Sequence, residues 1–315
     1  MKAAVVDRYG PPNVVRVVEV PNPAPRATEV LVRVNAVAVT AADSRIRAAR
    51  FPRGFGPFAR LMFGVVRPRR KVLGSTFSGV VDAVGAKVDG VAVGDEVCGM
   101  AGMRMGAHAE LVAVPESKVV RKPAAVSHLD AAAVLFGGST ALHLLRDRGS
   151  VQRGDAVLIN GASGAIGTSA VQLAKYFGAR VTGVTSSANT ALVSRIGADR
   201  VIDYTTTDLS DVGERFDIVL DAVGNISPAS GRKLLTERGR LLLAVADLWA
   251  TLVPRRRVVA GAAPESTADF ELLLQLVESG QLAVVAEDLG DLEDIVTAYA
   301  RVDSGRKVGN IVLRP

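Results

Sequence analysis

Cysteine occurs once in the 315 residues, at Cys98. That excludes an internal disulfide and fits a reducing compartment. Cys98 sits in the strand-like run Gly94-Asp-Glu-Val-Cys-Gly99, where a small buried apolar side chain is its expected role. Histidine is nearly as scarce, with His108, His128 and His143. Catalytic zinc needs three protein ligands of Cys, His or carboxylate type. The lone cysteine and the histidines show no ligand-like spacing, so no metal is expected. Long apolar runs are missing too, since none approaches the roughly 18 uncharged residues of a membrane span. Met1-Lys-Ala-Ala-Val-Val-Asp7 puts an acid where a secretory leader would be apolar. The expectation is a cytoplasmic globular protein. A dominant basic stripe is also lacking, despite a net charge of +6. The densest clusters, Arg67-Pro-Arg-Arg-Lys71 and Arg255-Arg-Arg257, are short and far apart. They read as solvated faces or as an attraction for an anionic cofactor, and nucleic acid is not expected as a partner.

The most informative stretch that is present is Ala156-Val-Leu-Ile-Asn-Gly-Ala-Ser-Gly-Ala-Ile-Gly-Thr168. A buried-strand pattern runs into a glycine-rich turn and then into Ser169-Ala-Val-Gln-Leu-Ala-Lys-Tyr-Phe-Gly178, a helix with its own glycine stop. From Ala162 the turn reads A-x-G-x-x-G, a dinucleotide-binding fingerprint with alanine in the first glycine slot. Gly164 lets the backbone approach a pyrophosphate, Gly167 lets helix and strand pack closely, and the helix N-terminus supplies N–H groups to the phosphates. A second strand, Arg180-Val-Thr-Gly-Val-Thr185, follows as a βαβ unit requires.

Residues 1–123 read as β-rich, with short apolar runs parted by Gly, Pro and Asp turns, which suggests a partly open barrel. Residues 124–265 alternate strands with helical patterns, the signature of a doubly wound α/β domain with a parallel sheet. Residues 266–315 are too short to fold alone and are expected to return to the first domain. A cleft between the two domains is the expected ligand site.

Several separated motifs, Tyr9-Gly10, Leu73-Gly-Ser-Thr-Phe-Ser-Gly-Val-Val81, Val93-Gly-Asp-Glu-Val97, Phe136-Gly-Gly-Ser-Thr-Ala-Leu-His143, Asp217-Ile-Val-Leu-Asp-Ala-Val-Gly224 and Lys307-Val-Gly-Asn310, carry a family resemblance over nearly the whole chain. The sequence resembles the zinc-free branch of the medium-chain dehydrogenases/reductases, that of quinone oxidoreductases and related enone reductases. The resemblance implies a GroES-like catalytic barrel, a Rossmann domain, and a homodimer built by adjoining the Rossmann sheets. It implies cofactor contacts from Thr140, from Ala162, Ser163, Gly164, Ala165, Ile166 and Gly167, from Val223, Gly224 and Val245, and from Asn310. Zinc-dependent relatives carry a Gly-His-Glu trio where this chain has Gly74-Ser75-Thr76. Where quinone oxidoreductases line the cleft with Asn-Pro-Val-Asp, this chain has Thr40-Ala-Ala-Asp43. Thr40 is then a candidate hydrogen-bond donor to substrate or ribose, and Asp43 either a site residue or a cap for the following helix.

Hydride transfer without a metal needs an acceptor already electrophilic at carbon, which points to quinones and α,β-unsaturated carbonyls. For the cofactor, NAD-preferring domains place an acid about 20 residues past the glycines. Here Val184-Thr-Ser-Ser-Ala-Asn189 holds no acid, and Ser186, Ser187 and Asn189 can donate to a 2′-phosphate. Tyr204 matches a tyrosine that contacts that phosphate in related reductases. Ala188 stands where many relatives carry Arg or Lys, with Arg195 or Arg200 as candidate substitutes. The expectation is NADPH, preferred by about 1 to 3 kcal/mol.

The alternative is a cofactor-binding regulatory or non-enzymatic protein of the same fold. His108 is expected near the cleft, His128 exposed at a helix start, and His143 packed. Residues 51–71 mix phenylalanines with arginines and read as a substrate lid or as core, with a membrane-surface element the lesser reading.

Overall fold

The structure, a computed structural model, describes residues 1–252 and 257–315, so Arg255 and Arg256 of the second basic cluster lie outside the described residues. The N-terminal part runs β1 (Lys2–Val6), β2 (Val15–Glu19), β3 (Glu29–Ala38), α1 (Ala41–Ala48), α2 (Gly56–Phe63), β4 (Thr76–Val84), β5 (Glu96–Met100), β6 (Leu111–Pro115) and β7 (Val119–Arg121). Next come α3 (His128–Leu142), β8 (Ala156–Asn160), α4 (Ala165–Tyr176), β9 (Arg180–Thr185), α5 (Thr190–Arg195), β10 (Arg200–Asp203), β11 (Phe216–Asp221), α6 (Pro228–Leu234) and β12 (Leu235–Leu243). The chain closes with α7 (Leu248–Leu252), β13 (Val258–Ala260), α8 (Thr267–Glu278), β14 (Ala286–Asp291), α9 (Ile295–Asp303) and β15 (Asn310–Arg314).

The first sheet is the GroES-like barrel. β3 pairs with β4, β6 and β15, all antiparallel. Val32, Val34, Phe77, Val112 and Tyr299 fill its interior. The second sheet is Rossmann-like, with strand order β10-β9-β8-β11-β12-β13 and every pairing parallel. β8 is buried along its whole length, as a strand covered on both faces must be, and its near-continuous apolar run follows from that. Helix α3 joins the two halves. It is apolar all round, and from Ala131 to Leu135 its residues are buried, the behaviour of a helix with no solvent face.

Phe270, Leu273 and Leu274 of α8 pack into a core shared with α3 and with Val120 of β7, and β14 and β15 then join the first sheet. One detail differs from the sequence expectation. Between β10 and β11 stands only a single helical turn, Leu209–Asp211, so no full helix covers the sheet there. That gap lets the central cleft run on past the end of β10.

Candidate functional site

A cleft of about 1700 Å³ opens where strand order reverses between β8 and β11. Ligands of open parallel sheets bind at such a switch point, beyond the carboxyl ends of the strands. Its floor is a polar cluster. The buried Asp221 carboxylate accepts from the backbone N–H of Val223 at 2.9 Å, Gly224 at 3.0 Å and Ile226 at 2.9 Å. Asn160 Nδ2 donates to Asp221 at 2.8 Å and to Asn225 at 2.6 Å. This clamp shapes the loop that presents Val223 and Asn225 to the cleft. Gly224 within the loop has φ of +92° and packs toward Val245. Asp221 and Asn160 were not singled out from the sequence, where each reads as the polar end of an apolar strand.

The glycine-rich turn borders the cleft through Ser163, Gly164, Ala165 and Ile166. Ala162 and Gly167 lie behind it. A Cβ on Gly167 would sit 2.0 Å from the Gly161 carbonyl oxygen and 2.7 Å from Ala162 Cα, so only glycine allows α4 to approach β8 this closely. Gly164 differs. Its φ of −82° suits any residue, and a Cβ there would meet only the Gly161 oxygen, at 3.4 Å. Gly164 is also the N-cap of α4 without a side-chain cap, so the first N–H groups of a 12-residue helix open toward the cleft. Lys307 is a cleft residue whose side chain the sequence pattern does not mark. It lines the cleft, half-buried, and burial lowers its ammonium to about 8. It stands two residues from Gly309, whose N–H bonds the Ser163 carbonyl at 2.8 Å. Asn310 lines the cleft beside it and donates to the Val285 carbonyl at 3.2 Å.

At the far end Ser186, Ala188, Asn189 and the exposed Tyr204 line the cleft. Thr185 donates to Ser163 Oγ at 2.9 Å, tying this end to the turn. Ser187 is withdrawn: its hydroxyl donates to Asp203 and lies 3.1 Å from Thr205 Oγ1. Asp203 is therefore an acid beside the hydroxyl cluster, brought there by β10, and the hydrogen bond from Ser187 holds its carboxyl below the usual range. Reading along 184–189 alone could not find it. Arg195 and Arg200 do not line the cleft, and Arg200 pairs with Glu214 at 3.0 Å. Arg215, Arg232 and Lys233 line the same cleft where it runs on toward the amino ends of β11 and β12.

On the barrel side Thr40 lines the cleft and Asp43 does not. Thr40 is the N-cap of α1 and Asp43 completes a capping box. Thr40 Oγ1 donates to Asp43 Oδ2 at 2.6 Å, and Asp43 N donates back to that oxygen at 3.2 Å. The one hydroxyl proton of Thr40 goes to Asp43 here, so donation to a substrate or ribose would require that hydroxyl to leave its bond to Asp43. Asp43, fully buried, belongs to a polar cluster under the cleft wall with Arg47, Tyr299 and His108. His108 does not approach the cleft: it is buried, its Nε2 lies 3.3 Å from the Ala38 carbonyl oxygen, and its Nδ1 lies 3.3 Å from the Tyr299 hydroxyl. Burial keeps its ring below the usual histidine range, against the pull of Asp43. His128 is part-buried, 2.7 Å from Ser78 Oγ and 3.3 Å from Glu96. His143 pairs with Asp147 at 3.0 Å.

Thr140 stands behind the cleft wall, its hydroxyl donating to the Phe136 carbonyl at 2.8 Å. Cys98 is buried, and burial pushes its thiol up to about 12, which makes it inert near neutral pH. Among the described residues no group of three or more His, Cys, Asp or Glu could hold a metal.

Two family models match, an alcohol dehydrogenase GroES-like domain over residues 26–124 and a zinc-binding dehydrogenase over residues 196–313. The 2-methylene-furan-3-one reductase of Solanum lycopersicum is 31% identical, covering 100% of this chain and 79% of that protein. The chain belongs to the medium-chain dehydrogenase/reductase superfamily, in its quinone oxidoreductase-like branch. Quinone oxidoreductase of Pseudomonas aeruginosa is 28% identical, covering 98% of this chain and 97% of that one. The solved quinone oxidoreductase of Coxiella burnetii superposes with a TM-score of 0.91 at 29% identity, covering 100% and 99% of the two chains. As a medium-chain dehydrogenase/reductase the chain is of an oxidoreductase family. Ser75, within the match to the GroES-like domain model, is buried.

Proposed function

We propose that this protein is an NADPH-dependent oxidoreductase that transfers a hydride to a quinone or an α,β-unsaturated carbonyl without a metal. The observation that carries the reading is Gly164. Nothing in the protein's own packing or backbone demands glycine there, whereas a pyrophosphate lying on the open start of α4 does. A bound NADPH would supply the hydride. Ser163 to Ile166, with Lys307 as the adjoining cation, would hold its pyrophosphate, and Ser186, Asn189 and Tyr204 would surround its 2′-phosphate.

The chain's own contribution is position. Val39, Ala41 and Phe136 line the cleft beside Thr40 and give an apolar wall against which a flat, conjugated acceptor can lie. Thr40 and Asp43 keep that wall rigid. An acceptor already electrophilic needs no strong Lewis acid, which agrees with Ser75 in place of a metal ligand. Two relatives, a quinone oxidoreductase and a 2-methylene-furan-3-one reductase, are named for these two acceptor classes. A cytoplasmic homodimer joined through the edge strand β13 completes the reading.

The test is to mix the protein with NADPH and a panel of quinones and enones while following NADPH absorbance, with and without chelator. Turnover insensitive to chelator, with no stoichiometric zinc by elemental analysis, is the expected result. Tight NADPH binding without turnover of any acceptor would replace this reading with that of a cofactor-binding regulatory protein.

A further inference from the structure

Residues 51–71 carry six cations, Arg53, Arg60, Arg67, Arg69, Arg70 and Lys71, and no acid. All six are exposed. Arg67, Arg69 and Arg70 form no ion pair among the described residues, while Lys71 pairs with Asp7 at 3.0 Å and Arg60 lies over the Tyr9 ring at 5.8 Å. Helix α2 within this segment is apolar on two faces. On one, Ala59 is buried and Phe63 stacks on Phe51 at 5.8 Å, which docks the helix on the barrel. On the other, Phe58, Leu61 and Met62, spaced i, i+3, i+4, are 59, 61 and 41% exposed. The loop that follows adds Val65 at 59% and Val66 at 85%.

Neither leading expectation for this segment accounts for that face. Its exposure excludes core, and no residue of 51–71 lines the cleft, so it does not cover the substrate space. An apolar stripe this exposed beside unpaired cations marks an interaction surface. Trp249, 71% exposed, extends it, because its neighbour Leu248 donates its backbone N–H to the Arg53 carbonyl at 2.9 Å.

We infer that this face docks on an anionic lipid bilayer. A short helix with Phe, Leu and Met on its outer face, flanked by arginines and an exposed tryptophan, has the composition of an element lying in a membrane interface. The cations match phosphate headgroups, and side chains as exposed as Val66 can enter the acyl boundary, which needs no preformed pocket to receive them. A second copy of the chain is a poor occupant. A twofold contact through this patch would bring Arg67, Arg69 and Arg70 of the two copies together, and residues 51–71 hold no acid of their own to offset them. The inference is independent of the proposed reaction.

The experiment is sedimentation of the full chain with phosphatidylcholine vesicles, with and without phosphatidylglycerol, at low and high salt. Binding is expected only with phosphatidylglycerol and should weaken with salt. The triple variant Arg67→Gln, Arg69→Gln, Arg70→Gln should lose roughly fivefold in affinity per cation removed. Leu61→Ser with Met62→Ser should weaken the binding that remains at high salt. All five side chains are exposed, so thermal melting of the variants should match the wild type, and the cleft's dinucleotide affinity should be unchanged. Equal binding to both vesicle types, or arginine variants that sediment like the wild type, would overturn the inference. So would a change in oligomeric mass by light scattering in Leu61→Ser, which would assign the face to a contact between copies.

Discussion

Helices α1 and α4 both start at the cleft wall, yet α1 starts with its end closed and α4 with its end open. At α1, Thr40 and Asp43 satisfy each other through three hydrogen bonds and leave a carboxylate at the positive end of the helix. At α4, Gly164 offers no side chain, and the first N–H groups face the cleft. The two starts have the same backbone physics and opposite roles. A helix N-terminus can receive a ligand anion only where the chain has not already supplied an anion of its own.

The sharpest way to break this contrast is to make α4 resemble α1. Gly164→Asp would install a cap, so thermal stability should hold or rise by a few tenths of a kcal/mol. Affinity for NADPH should fall at least a hundredfold, about 2.7 kcal/mol, because a carboxylate then stands at the proposed pyrophosphate site. Calorimetric titration showing unchanged NADPH binding would place the cofactor elsewhere. Gly167→Ala probes the same turn for packing instead. With its Cβ 2.0 Å from the Gly161 oxygen, it should lower unfolding stability by about 3 kcal/mol in denaturant titration.

On the α1 side, Asp43→Ala should cost about 1 to 2 kcal/mol of stability through loss of the capping box, measured by chemical unfolding. Turnover per folded molecule should change less than tenfold. A loss of several orders in kcat with stability intact would give Asp43 a part in the chemistry.

Smaller effects are expected at the far end of the cleft. Ala188→Arg adds the cation this loop lacks, and Asp203→Asn removes the acid that engages Ser187. Each should move the ratio of kcat/KM for NADPH over NADH upward by about 1 kcal/mol. No movement in either variant would show that this loop does not read the 2′-phosphate. The smallest effect concerns Lys307, lowered to about 8 by burial. Its ammonium is charged below that pH and neutral above it, so dinucleotide affinity should fall severalfold as pH rises through about 8. Lys307→Met should flatten that dependence in binding titrations.

How much of this was legible beforehand differs along the chain. The strand–glycine turn–helix unit could be read because its parts are consecutive, and local spacing is what a sequence displays. The parallel sheet could be read for the same reason. Asp203 could not. It lies on a different strand from Ser187, and only the pairing of β10 with β9 makes them neighbours. Thr40 and Asp43 were visible as a pair three residues apart, but not which atom held the proton. His108 looked like a cleft residue until the fold set it against Tyr299, 191 positions away. Phe58, Leu61 and Met62 had the apolar spacing of a packed helix face, and nothing local could say that the face would meet no partner within the chain.

What the sequence alone determined is therefore local: the element order, the glycine turn and the caps. Each depends on residues within a few positions of one another, where backbone sterics and helix or strand periodicity act directly. What the tertiary structure decided is which distant groups share a low-dielectric interior and which remain in water. It put Asp43 under the cleft wall, Asp203 beside the hydroxyls and Lys307 next to the turn, and it left the outer face of α2 bare. Burial and charge neighbourhood are properties of the packed chain, and no segment carries them by itself.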